Sequence, residues 1–256
     1  MNRKWLIIPD TEHLPESVAL AKEYGAAFEY NDFCSPAVYE DKEETEKRIQ
    51  TYLSLDRDRS EDTMHGVYLD ILFASTDSVI RARSRELVEG SLQIAERLGV
   101  RGVVFHTNIL ADLTVASYVN PWLDSAEDFW REKAKAHPQL ELYMENTFEK
   151  TPTVLLELKK RLADCINFKL CLDYGHACLT QTPIESWVSQ MAEYVGHMHV
   201  NDNDLKADLH AVPGEGKLDW NECKRMLETY RITTPVLLEL NGIERQKKAL
   251  EFMRAL

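Results

Sequence analysis

Short apolar runs alternate along this chain with longer segments in which apolar residues recur every three or four positions, and the alternation repeats eight times across 256 residues. The short runs predict strands at 6–9, 26–31, 65–71, 102–106, 140–145, 168–173, 195–199 and 235–239; the longer ones predict helices at 15–24, 42–55, 79–98, 126–136, 153–162, 184–194, 219–230 and 245–256. Gly25 and Gly99 stand where helix C-caps belong, and Asp219 stands where an N-cap belongs. Strands separated by helices must pair in parallel, and eight such units can close into a barrel. The expectation is an α/β protein, a (β/α)8 barrel, with 1–256 as a single domain; the length is typical of one such domain, and no linker, repeat or low-complexity tract divides it. An open doubly wound sheet is the competing fold, but it would not bring four separate strand ends so readily to one place.

Four of the predicted strands end on a residue that can ligate a metal: Glu145 (LELYME), Asp173 (FKLCLD), His199 (VGHMH) and Glu239 (PVLLE). Side chains alternate along a strand, so only the terminal residue of each run has to face a shared cavity. Three carboxylates and an imidazole gathered there would repel one another strongly unless a divalent cation neutralised them. The oxygen-rich set suits Mn, Mg or Co and accommodates Zn.

Composition adds bounds. Hydrophobic content of 44% and charged content of 29% are ordinary for a globular protein. The start, MNRKWLIIPD, holds an apolar run too short for a signal core, and no stretch reaches membrane length, so a cytoplasmic protein without a membrane partner is expected. Five cysteines without a CxxC pair argue against a disulfide framework and a structural zinc knuckle.

Other residues cluster around the four. His65 opens the third predicted strand, His106 closes the fourth, His176 follows Asp173 in LDYGH, and Asp208 and His210 form a D-x-H pair. These five suggest either a second, nitrogen-rich metal locus or groups that orient substrate hydroxyls. His197, two residues before His199, reads as a hydrogen-bonded core residue, while His13 and His137, in polar or Pro-flanked surface contexts, receive no role. Tyr68, Trp122 and Phe148 fall in or near the loops after strands and are expected as substrate walls; Trp187 reads as packing.

The motifs HGVY, FHTN, MENT, LDYGH, HMHVND, DLHAVPGEGKLDW and LLELNG, in this order between 65 and 242, resemble the xylose isomerase-like TIM barrels, which include sugar isomerases and epimerases and the endonuclease IV type of apurinic/apyrimidinic endonuclease. The resemblance implies that Glu145, Asp173, His199 and Glu239 bind one divalent metal and that the two glutamates also act as acid and base. In the endonuclease branch it implies further ligands at His65, His106, His176, Asp208 and His210 and up to three Zn ions. One departure from the epimerase pattern is His210, which stands where those enzymes often place an arginine ahead of the PG-x-G turn.

Charge weighs the two branches. The chain carries 43 acidic against 30 basic residues, a net charge of −13, and the segments 66–80, 102–130 and 174–194 contain neither Lys nor Arg. A surface that follows a phosphate backbone needs cations, so nucleic acid is disfavoured. The same scarcity weakens a sugar phosphate, leaving Lys150, Lys206, Lys217, Arg245 and the turn at 214–216 as phosphate contacts. The expected function is therefore a divalent-metal-dependent isomerase or epimerase of a small neutral sugar, keto-sugar or polyol-derived substrate. Glu145 and Glu239 move a proton next to a carbonyl, and His176 holds a substrate oxygen. The second reading is the zinc-dependent abasic-site endonuclease; dehydration or aldol-type cleavage would use similar groups, and a sugar-binding barrel without catalysis is the third class. Association into homo-oligomers is a family tendency that this sequence does not decide.

Overall fold

A computed structural model describes residues 3–256. Eight parallel strands pair in sequence order into one closed barrel: β1 (Trp5–Ile7), β2 (Ala27–Tyr30), β3 (Thr63–His65), β4 (Gly102–His106), β5 (Glu141–Glu145), β6 (Phe168–Asp173), β7 (Val195–Val200) and β8 (Val236–Leu238). The helices between and after them are α1 (Leu14–Tyr24), α2 (Pro36–Glu40), α3 (Lys42–Leu53), α4 (Ser78–Leu98), α5 (Ala116–Ala136), α6 (Thr153–Arg161), α7 (Tyr174–Cys178), α8 (Ile184–Met191), α9 (Trp220–Thr229) and α10 (Ile243–Ala255). The chain forms two compact units. One comprises the segments ending at Glu29 and spanning 145–152 and 170–256; the other comprises 30–144 and 153–169.

In the first unit β1 pairs with both β2 and β8, and β7 pairs with β6 and β8. Leu6, Ile8, Ala27 and Leu237 form one buried apolar cluster. Because strand side chains alternate with period two, Ala27 and Leu237 share their strand faces with Glu29 and Glu239, one pleat further on. An apolar layer thus lies beneath a layer of ionisable groups. In the second unit Phe73, Phe105, Phe129 and Trp130 pack on one another with ring centroids 5.0–5.5 Å apart, burying aromatic surface between the strands and helices.

The predicted caps behave as their chemistry requires. Gly25 and Gly99 adopt left-handed φ of 62° and 69° at the ends of α1 and α4, and the Asp219 carboxylate accepts from Glu222 N–H at the start of α9. Asp77 caps α4 in the same way. Two elements differ most from the sequence expectation, and two short helices were not expected. The third strand is Thr63–His65, so His65 ends it rather than opening it, and 66–71 is loop. Helix α5 begins ten residues earlier than the apolar period suggests, at Ala116 rather than 126, and contains Pro121, whose missing N–H interrupts the pattern read from sequence. The short helices α2 and α7 escaped notice because five residues are too few for an apolar period to register. Among the described residues no helix is long and apolar enough to cross a membrane.

Candidate active site

The first unit gathers Glu145 from the end of β5, Asp173 from the end of β6, His199 from β7 and Glu239 from just beyond β8, each offering one ligand atom within 4.8 Å of the others. Glu239 extends its strand by one more rung, its N–H donating to Val200 O at 3.0 Å. Glu145, Asp173 and His199 are almost wholly buried, whereas Glu239 is 14% exposed and forms the open side of the group. His199 Nδ1 lies between the two glutamates, 3.4 Å from Glu145 Oε1 and 3.6 Å from Glu239 Oε2.

Backbone and amide groups fix this arrangement. Asn146 clamps the neighbouring strand end, donating from Nδ2 to Asp173 O and accepting Asp173 N–H at its Oδ1, both at 2.9 Å. Asp173 Oδ1 also accepts His176 N–H at 2.6 Å, capping α7, so the LDYGH motif is a strand end, a cap and one helical turn. Gly175 allows that turn to approach β7; a Cβ there would lie 2.5 Å from Asn201 Oδ1.

Glu29 on β2 went unremarked in sequence. It is fully buried and sits against two imidazoles, with Oε2 at 2.8 Å from His197 Nε2 and Oε1 at 3.1 Å from His199 Nε2. This confirms His197 as a hydrogen-bonded core residue. It also fixes the His199 ring so that Nδ1, not Nε2, faces Glu145 and Glu239, the arrangement by which a carboxylate orients a ligating histidine. A lone carboxylate within an apolar strand, AFEY, was the available signal. Asn201, one pleat beyond His199, is a second omission: it is fully buried, and neither amide atom has a hydrogen-bond partner among the described residues.

His176, Asp208 and His210 form a second group that borders the first, with His176 Nδ1 3.7 Å from both Glu145 Oε1 and Asp173 Oδ2 and His210 Nδ1 3.9 Å from Glu239 Oε2. Asp208 Oδ2 lies 3.2 Å from His176 Nε2 and 3.0 Å from His210 Nε2, while the Nδ1 atoms face Asn146 O and Glu239 O, each at 3.0 Å. The other two histidines expected beside them pair in the second unit, His65 Nε2 standing 3.2 Å from His106 Nε2. Tyr68 stacks on His106 with centroids 4.5 Å apart. Phe148 is 81% exposed in its loop. Trp122, expected near a loop, is buried inside α5 against Phe73, and Trp187 is fully buried packing. His137 is no surface residue: it is buried with Nδ1 2.8 Å from Glu96 Oε1.

A buried carboxylate organises the turn at 214–216 and the residues after it. Asp202 accepts from Gly214 N–H at 2.8 Å, Leu218 N–H at 3.1 Å and Trp220 Nε1–H at 2.8 Å. A Cβ at Gly216 would stand 2.1 Å from Asp202 Oδ1.

Electrostatics in the first group reflect several ionisable groups buried against one another. Burial pushes Asp173 up to about 7; His176 opposes the shift, while Glu239 and Glu145 add to it. Burial disfavours the charged form of His199, but Cys171, Glu145, Glu29 and Glu239 outweigh this and hold it well above its ordinary value. Burial likewise opposes charge on His176, yet Asp173, the Asp208 hydrogen bond and the two glutamates carry it up to about 11. Buried Asp173 Oδ2 and Glu239 Oε2 have no hydrogen-bond partner among the described residues. Three carboxylates and one imidazole, two oxygens of them unsatisfied, fit a hard or borderline divalent cation.

The model of the xylose isomerase-like TIM barrel matches residues 18–256. The chain belongs to that family. Among solved structures, a D-tagatose 3-epimerase-like protein superposes on this xylose isomerase-like barrel with a TM-score of 0.77 at 21% identity, covering 98% of this chain and 96% of the other. The TTHB071 protein from Thermus thermophilus, soaked with ZnCl2, gives 0.78 at 22% identity, covering 100% and 97%. An L-ribulose 3-epimerase gives 0.72 at 17%, covering 100% and 94%.

Proposed function

We propose that this protein is a divalent-metal-dependent epimerase or isomerase that moves a proton next to the carbonyl of a small neutral sugar. The carrying observation is the four-residue group, with two carboxylates that can flank one substrate carbon and two buried carboxylate oxygens that lack hydrogen-bond partners among the described residues. Membership of the xylose isomerase-like family and the epimerases among its structural neighbours support the reading.

Glu145, Asp173, His199 and Glu239 would hold the ion, which when bound supplies Lewis-acid polarisation of the carbonyl and neighbouring hydroxyl. The chain's own groups do the proton transfer. Glu145 and Glu239 stand on either side of His199 Nδ1; one takes the proton from carbon and the other returns it. Return to the opposite face of the same carbon gives an epimer, and delivery to the neighbouring carbon gives an isomer. Two bases suit the first outcome. His176 would exchange its Asp208 contact for a substrate hydroxyl, bringing a cationic donor to oxygen as negative charge develops there.

The decisive experiment follows the proton next to the carbonyl by NMR in D2O with a panel of neutral ketoses. The native protein is expected to exchange that proton for deuterium. Glu145→Gln and Glu239→Gln should each lower the rate by about 10²–10⁴-fold, the usual contribution of a positioned acid or base. Full exchange in both variants would sink the assignment. The group of His176, Asp208 and His210 favours one second reading, the zinc phosphodiesterase; cleavage of an abasic duplex by the native protein would put it first.

A further inference from the structure

The loops after β3 and β4, with α4 and α5, line an open pocket of about 610 Å3 within the second unit. Arg81 and Arg85 line it, one helical turn apart on α4, and no Asp or Glu does, in a chain with 43 acidic residues. The remaining wall supplies hydroxyls from Ser75, Ser117, Tyr118 and Ser125 and aromatic surface from Phe73 and Trp122. The guanidiniums come from the helix that follows the loop, not from the loop itself.

The two arginines differ from their neighbours. Arg83, between them, is ion-paired with Glu86 and Glu40, and Arg97 with Glu46. Neither Arg81 nor Arg85 is ion-paired among the described residues; each reaches only neutral acceptors. Arg81 Nη1 donates to Ser75 O and Thr76 O, while Arg85 donates from Nε to Phe73 O at 3.1 Å and from Nη2 to Ser125 Oγ at 3.2 Å. Arg81 Nη2 and Arg85 Nη1 make no hydrogen bond among the described residues. Ser125 and Tyr118, having accepted from Arg85 and from Leu110 N–H, retain their own O–H groups as donors. Burial and the nearby Arg81 charge hold the Arg85 guanidinium below its ordinary value, although Glu132 and Asp128 act in the opposite direction; an anion between the two arginines would relieve the remainder.

We propose that this cavity is an oxyanion site that takes the phosphate group of a small phosphorylated organic molecule. Two guanidinium forks and adjacent hydroxyls match the several acceptor oxygens of a phosphate better than a planar carboxylate. The volume exceeds what bare phosphate needs and falls in the range of small-molecule pockets, with the aromatic wall left for the organic part. The site stands independently of the catalytic reading.

Isothermal titration of the full-length protein, purified with its metal, tests this with inorganic phosphate, glucose 6-phosphate, glucose and acetate as probes. The phosphate-bearing probes are expected to bind with an affinity that depends on the two arginines and acetate is not expected to bind, while glucose reports binding at the catalytic group alone. Arg81→Gln and Arg85→Gln should each weaken binding by about tenfold or more, the loss expected for a charge-assisted contact. Ser125→Asp, which sets a carboxylate against Arg85, keeps the test open should an arginine variant fail to fold, and it should abolish binding. Absence of phosphate binding at millimolar concentration overturns the proposal. So does phosphate binding that is unchanged in all three variants, and so does acetate binding as tightly as inorganic phosphate.

Discussion

At Glu29 one buried carboxylate serves two imidazoles, and its worth lies in the direction it gives His199. Glu29→Gln keeps the shape but removes the charge that orients the ring, and metal affinity is expected to fall by about 10–100-fold while the circular dichroism spectrum is retained. Competition with a chelator of known affinity measures this; unchanged affinity would reduce Glu29 to packing. His210 offers a titration. The Asp208 hydrogen bond raises it to about 9; burial opposes this, and the Glu239 carboxylate adds to it. Its folded value lies above its unfolded value near 6.5. In metal-free protein its stabilising contribution is therefore complete below that value and is lost as pH rises through about 9. Asp208, held low chiefly by its bonds to His176 and His210 against the cost of burial, contributes above the ordinary aspartate range and loses that contribution on acidification. An NMR titration should find His210 in chelator-treated protein near 9, and Asp208→Asn should move it back toward 6.5.

Among the elements, the turn between β7 and α9 depends on Asp202. Asp202→Ala strands the donors of Gly214, Leu218 and Trp220, and the stability lost should be about 3 kcal/mol or more by chemical denaturation. A smaller loss would mean that water satisfies them. The same scale explains what sequence could reveal. Strand ends at Glu145, Asp173, His199 and Glu239 were readable because each closes an apolar run, and the helix caps because glycine and aspartate have few other uses there. Glu29 was not readable: nothing in AFEY says that its partners come from β7, some 170 residues later. Arg81 and Arg85 look like an ordinary solvated helix face in sequence, and only the loop packed over α4 makes them the wall of a cavity.

For the whole molecule, the apolar layer of Leu6, Ile8, Ala27 and Leu237 beneath the ionisable layer implies that the first unit has a hydrophobic foundation separate from its chemistry. Removing the metal should abolish proton exchange and lower the melting temperature, since an ion bound only by the folded state stabilises it, yet leave the helical signal intact. Metal content bears most directly on the account. Mass spectrometry of protein purified without chelator or affinity metal should find close to one divalent ion per chain, and Glu239→Gln should reduce it. Two or three zinc ions per chain, with cleavage of abasic DNA, would contradict the single-ion proton-transfer account and assign the His176, Asp208 and His210 group to phosphodiester chemistry.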